Sequence, residues 1–155
     1  MHLYLLRHGE AEPRHYDDSQ RVLTSHGRQE IISVASQFAR HHIALTKCFH
    51  SPFVRTTQTS ELFLAESAAA IKSEPLTLLT PSHRALQVLA FLGSLKEEHV
   101  LLVTHNPLVS ELLAVLTDTE IETMHIFSTS ELDAVDCNAC TTGGGELSFR
   151  LLPKV

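Results

Sequence analysis

The sequence predicts an α/β chain, folded as a three-layer α/β/α sandwich around a mostly parallel central sheet. Short β-rich runs alternate with longer runs whose apolar residues recur every three to four positions, the pattern of successive βαβ units. Three apolar runs end abruptly in ionisable or hydroxyl residues: LYLLRHG (3–9), KCFHSPFVRTTQT (47–59) and LLVTHNPLV (101–109). With 155 residues and 43% hydrophobic content, the chain is the size of one domain, spanning 1–155, with no repeat or linker to divide it.

Residues 3–7 read as the first strand, because its apolar residues follow one another without alternation, as in a strand buried on both faces. A polar, turn-rich loop runs to Leu23. Thr24 and Ser25 then offer caps to a helix whose Ile31, Val34, Ala35 and Phe38 fall on one face and which ends near His41 and His42. Residues 46–50 form a second strand, and Ser51-Pro52 supply an N-cap and first-turn proline for a helix to about residue 69. Ile71 and its neighbours suggest a third strand. A helix beginning at Pro81-Ser82 would place Leu86, Leu89 and Ala90 inward. Residues 100–103, VLLV, read as another buried strand, after which Asn106-Pro107 repeat the cap-and-proline start of a helix to about Leu116. Residues 132–135 and 146–151, joined through three glycines, read as an edge hairpin. Residues 117–130 carry no clear pattern.

In open parallel sheets the carboxyl ends of the strands share one edge, where ligands bind. Arg7, His8, Ser51 and His105 are therefore expected to meet. The helices opened by Ser51-Pro52 and Asn106-Pro107 would add free N–H groups and the positive end of their dipoles. Arg55, near its helix start, can lean back over the same spot, because helical side chains point toward the N-terminus. Two guanidiniums, two imidazoles and two helix ends make an anion site, and the planar fork of arginine matches phosphate oxygens in pairs.

An anion site alone needs no histidine at its floor. A neutral imidazole fixed through one nitrogen leaves the other free to attack phosphorus, and positive surroundings keep it unprotonated. His8 fits that role, flanked by Arg7 and by Gly9, whose missing side chain would let the backbone approach a bound group. His105 would donate to a phosphoryl oxygen as an imidazolium and stabilise transition-state charge.

Composition excludes other classes. A formal net charge of −6 argues against nucleic-acid binding, and the longest apolar runs are far too short to span a membrane. Met1-His2 before a short strand is no signal peptide, and three cysteines, an odd number, suggest a reduced, cytoplasmic setting. Eleven histidines show no metal-binding spacing, so neither metal nor cofactor is expected; His2, His15, His26, His99 and His125 receive no role.

The segments LRHGEA, RVLTSHGRQE, HSPFVRTTQT and VTHNPLV, in this order and spacing, resemble the histidine phosphatase superfamily, whose fold is called phosphoglycerate mutase-like. The resemblance covers nearly all of the chain to Leu116. It implies a phosphorylated histidine at His8, phosphate-binding arginines at Arg7 and Arg55, a second histidine at His105 and a further pocket arginine at Arg21. The small size and the SPFVRTTQT and LTP segments are most similar to the bacterial phosphohistidine phosphatases of the SixA type. Larger members insert an acidic proton donor between the second and third motifs, whereas here no Asp or Glu lies between Glu74 and Glu97. An alkoxide leaving from a phosphomonoester needs a proton in the transition state, and an imidazole leaving from phosphohistidine needs far less help. Glu10, Glu12 and His83 remain as candidate donors.

The resemblance thus implies dephosphorylation of a phosphohistidine-bearing signalling or carrier protein through a phospho-His8 intermediate; the strand-end reading adds Gly9, Ser51 and Asn106 beside the phosphate, and a monomer is expected. The alternatives are a phosphatase for small phosphomonoesters and a non-catalytic phosphoprotein-binding module.

Overall fold

The structure is a computed structural model that describes residues 1–13 and 16–155; Arg14 and His15, the latter a histidine given no role above, lie outside the described residues. Among the described residues the strands are β1 (His2–Arg7), β2 (Lys47–His50), β3 (Ser73–Pro75), β4 (His99–Thr104), β5 (Leu132–Cys137) and β6 (Gly145–Leu151). The α-helices are α1 (Ser25–Ala39), α2 (Val54–Glu66), α3 (Ala85–Gly93) and α4 (Leu108–Leu116). One sheet has the order β3-β2-β4-β1-β5-β6. β1 to β4 run parallel, and β5 and β6 form the expected antiparallel hairpin at the edge.

Side-chain alternation along the strands divides the core in two. Leu3, Leu5, Val100, Leu102 and Val135 pack with Val88, Leu89, Leu92 of α3 and Leu108, Leu112, Leu116 of α4. Tyr4, Leu6, Leu101, Val103 and Ala134 face the other way, onto Ile31, Val34 and Phe38 of α1 and Phe63 and Leu64 of α2. The three layers follow directly, with β1 and β4 buried on both faces.

Helix starts depart from expectation in three places. Thr24 does cap α1, accepting the Gly27 N–H at 2.9 Å. Ser51, however, extends the strand pairing through its own N–H to the Val103 carbonyl at 3.0 Å, and α2 begins after Phe53 and ends at Glu66. The helix after Pro81 begins at Ala85, where Gln87 Oε1 accepts the Arg84 N–H at 3.1 Å. This later start turns the inner face to Ala85, Val88, Leu89 and Leu92 and leaves Leu86 and Ala90 exposed. α4 likewise begins at Leu108, because both polar atoms of the Asn106 side chain bond elsewhere: Nδ2 donates to the Phe127 carbonyl and Oδ1 accepts from Ser110. The third strand lies at Ser73–Pro75, just beyond Ile71.

Helix α1 lies so close to the end of β1 that two glycines are required. A Cβ on Gly27 would stand 2.1 Å from the Glu10 carbonyl oxygen, and one on Gly9 would stand 2.8 Å from the Gly27 carbonyl. Gly27→Ala should therefore push the helix off the strand end and lower stability by about 1–3 kcal/mol. Urea denaturation of the two proteins checks this, with an unchanged midpoint counting against the contact.

Candidate active site

The pocket lies where β1 and β4 end, and the two central motifs build it from both faces of the sheet. His8 follows β1, its N–H bonded to the Thr104 carbonyl at 3.1 Å, and its side chain is 7% exposed. Nδ1 lies 2.7 Å from the Gly9 carbonyl oxygen. A carbonyl can only accept, so the proton resides on Nδ1 and leaves a lone pair on Nε2. That lone pair accepts the Arg55 Nε–H at 3.2 Å. Burial, and then the charges of Arg55, Arg7 and Arg21, push the imidazole down to about 3, opposed by the bond to Gly9. At neutral pH it is an uncharged base with a directed lone pair.

Arg55 is delivered by the first turn of α2 and is 4% exposed. Its Nη1 donates to the Asp18 carbonyl at 2.7 Å and its Nη2 to Asp18 Oδ2 at 3.1 Å, while its guanidinium sits 5.1 Å from the Phe53 ring centre. Arg21 donates through Nη1 to Asp18 Oδ1 at 3.0 Å and through Nε to the Glu12 carbonyl at 2.6 Å. The short 3-10 turn Asp18–Gln20 thus gathers both arginines. No side chain caps the first turn of α2, so its dipole adds to the positive field.

His105 follows β4, 1% exposed, with its ring 5.2 Å from the His8 ring and 4.9 Å from the Phe53 ring. Neither of its ring nitrogens has a hydrogen-bond partner among the described residues, and the same holds for Arg7 Nε. Three buried polar atoms without partners at one strand edge mark where a polar ligand would bind. Burial, then the charges of His8 and Arg55, lower the pKa of His105 to about 2, so the ring is neutral. A phosphoryl anion would act in the opposite direction.

Segment 117–130 explains how Arg7 is aimed. The Phe127 carbonyl accepts Arg7 Nη1 at 2.8 Å and Asn106 Nδ2 at 2.9 Å. Ser130, at φ 61°, turns its N–H onto the carbonyls of both Arg7 and His8, each at 3.1 Å. Buried Glu30 accepts from Ser130 Oγ at 2.9 Å, Thr129 Oγ1 at 3.1 Å and the Glu10 N–H at 3.2 Å, tying α1 to this segment. Buried Glu131 accepts from the Ser128 N–H, pairs with His125 and, with Asp133, neutralises Arg150.

Arg7, His8, Arg21, Arg55 and His105 therefore come together as expected. At Gly9 the space a side chain would fill is taken by Gly27, Ile31 and Leu23, and its N–H donates to Thr59. Ser51 is fully buried and its hydroxyl faces the Phe53 N–H, while the Asn106 amide is engaged by Phe127 and Ser110. Of the candidate proton donors, the Glu10 carboxylate accepts from Thr24, and His83 is bonded to Thr80. Asp18 and Glu30 were missed. Glu30 had a legible sign, a carboxylate inside the apolar stripe of Gly27, Ile31 and Val34.

A model of the histidine phosphatase superfamily (branch 1) matches residues 3–77. The phosphohistidine phosphatase SixA of Escherichia coli (strain K12) is 32% identical over 161 residues, covering 99% of this chain and 94% of that protein. The chain belongs to the histidine phosphatase superfamily. The SixA homolog of Haemophilus influenzae (strain ATCC 51907 / DSM 11121 / KW20 / Rd) is 33% identical over 129 residues, covering 75% of this chain and 77% of that one. The solved structure of the protein histidine phosphatase SixA complexed with tungstate superposes with a TM-score of 0.89 at 30% identity, covering 99% of this chain and 97% of that one. The fold is phosphoglycerate mutase-like, and membership makes the protein a hydrolase with histidine-based catalysis.

Both buried histidines are neutral when folded but bind protons when unfolded, so stability is whole above the ordinary histidine pKa of 6.5 and is lost as pH falls toward 3. Each should contribute a slope of about 1.4 kcal/mol per pH unit within that window. Urea midpoints measured from pH 7 to pH 4 should fall less steeply for His105→Asn than for the wild type; equal slopes would mean that His105 titrates normally.

Proposed function

We propose that the protein hydrolyses phosphohistidine on a signalling or carrier protein, with His8 as nucleophile and without a cofactor. The observation that carries this reading is the His8 ring, protonated on Nδ1 by its bond to Gly9 and unprotonated on Nε2 among buried arginines. Its lone pair, released from the Arg55 Nε–H, forms a bond to phosphorus, and the bond to the leaving nitrogen breaks with its electrons returning to that nitrogen. The partnerless Nε of Arg7 and the ring of His105, together with Arg55 and Arg21, would take the phosphoryl oxygens as negative charge spreads over them. Water then attacks phospho-His8, its oxygen bonding to phosphorus as the P–N bond breaks and its protons leaving with the phosphate. Because Nδ1 keeps its proton, the His8 ring departs as neutral imidazole rather than as an anion.

The substrate class is supported by the SixA relatives and by the chain itself. Residues 76–84, between β3 and α3, hold no carboxylate, and this short link is pinned to β4 by Thr104 donating to the Leu79 carbonyl at 2.6 Å. With no acid there to protonate an alkoxide, P–N bonds are the better substrates. On this reading the protein acts in the cytoplasm on a protein partner, as a monomer; no helix among the described residues is long and apolar enough to cross a membrane.

Incubation with a phosphohistidine-bearing phosphotransfer domain should release phosphate and leave radiolabel on the wild type but none on His8→Ala. Faster turnover of sugar phosphates or p-nitrophenyl phosphate would instead favour a small-ester phosphatase. Arg55→Ala should lower kcat/KM about 100- to 1,000-fold, as when one charged donor to a transition state is removed.

A further inference from the structure

We propose that Asp18 determines specificity in this site: its carboxylate accepts the ring N–H of the departing imidazole and so favours P–N over P–O substrates. The inference deepens the phosphohistidine reading above and rests on it.

A carboxylate inside an anion site works against the binding of phosphate, and Asp18 stands there with no structural need for its charge beyond the two arginines it holds. Its Oδ2 lies 3.1 Å from Arg55 Nη2 and its Oδ1 lies 3.0 Å from Arg21 Nη1. The same rigid guanidinium that meets Asp18 donates from Nε to His8 Nε2 at 3.2 Å, so carboxylate and nucleophile are one guanidinium apart. The His8 and Arg55 side chains are buried, whereas that of Asp18 is 58% exposed. The carboxylate is thus at the mouth. In an in-line displacement the leaving group departs on the side away from the nucleophile, here toward that mouth.

An ionised carboxylate cannot protonate an alkoxide. The bonds from Arg21 and Arg55 hold the Asp18 carboxyl below its usual range against a smaller opposing effect of burial, which keeps it in the accepting form. Phosphohistidine carries phosphorus on one ring nitrogen, and the other can hold a proton. When it does, the His8 lone pair forms the new bond to phosphorus, the electrons of the broken P–N bond return to the first nitrogen, and a neutral imidazole leaves with its proton in place. When it does not, the product is an imidazolate, a far poorer leaving group. A negative charge facing the ring favours the protonated form. A phosphomonoester has no such N–H, so to its dianion Asp18 offers only repulsion.

Asp18→Asn keeps the shape and the backbone carbonyl that accepts from Arg55. The test measures kcat/KM on a phosphohistidine-bearing phosphotransfer domain and on p-nitrophenyl phosphate, whose phenolate leaves without a proton. The expected result is a fall on the first and a rise on the second, lowering their ratio about tenfold or more, the effect of a charge that shifts a neighbouring pKa by about one unit. Asp18→Glu, which keeps the charge, should retain most of the preference. An unchanged ratio in Asp18→Asn, whether both rates fall together or neither moves, overturns the inference and leaves the substrate reading standing. A wild type inactive on phosphohistidine overturns both.

Discussion

The hydrogen bond from His8 Nδ1 to the Gly9 carbonyl is the constraint on which the rest of the site depends. It selects one tautomer, fixes the plane of the ring and sends the remaining lone pair toward Arg55. The acceptor belongs to the next residue in the chain, so it needs no side chain from elsewhere and moves with the strand. What the fold must supply is a strand end that cannot shift, and much of the surrounding structure serves that end. The Ser130 N–H closes on the carbonyls of Arg7 and His8, the His8 N–H reaches β4, and α1 presses against Gly9 through Gly27.

Concentrating cations in a buried pocket is unfavourable unless each is partly compensated. Here the compensation is uneven. Arg55 is held by Asp18 on one side and Arg7 by the Phe127 carbonyl, yet Arg7 Nε and both nitrogens of His105 keep unused hydrogen-bonding capacity. The two carboxylates deepest in the protein near this edge, Glu30 and Glu131, bond mainly to the segment that carries Phe127 rather than to the arginines themselves. They steady the walls without filling the anion position. The alternation of β1 places Arg7 on the side of α4 and His8 on the side of α2, so the pocket straddles the sheet and draws on both layers of helices.

What could be read from the sequence was whatever depends on local pattern. The strand ends of LYLLRHG and LLVTHNPLV, the Thr24 cap and the terminal hairpin rest on periodicity and turn chemistry, and the meeting of Arg7, His8, Arg55 and His105 follows from the topology of a parallel sheet. What failed depends on bonds between distant residues. Ser51 and Asn106 look like caps, but Ser51 is claimed by strand pairing with Val103 and Asn106 by Phe127 and Ser110. Gly9 invites a reading in terms of ligand approach, and the reason for it lies in Gly27, eighteen positions on. Asp18 sits in a polar loop with nothing local to distinguish it from Asp17; only the reach of Arg55 from another helix singles it out.

The sheet order also sets how securely the two histidines are held. β1 and β4 are the innermost pair, hydrogen-bonded on both sides, whereas the edges are the three-residue β3 and the hairpin strand β6. Fraying begins at edges, so amide protons of β3 should exchange with solvent through small, frequent openings. Those of Leu5 and Val103 should exchange only when the whole molecule unfolds. The two histidines thus stand at the ends of the slowest-exchanging part of the fold.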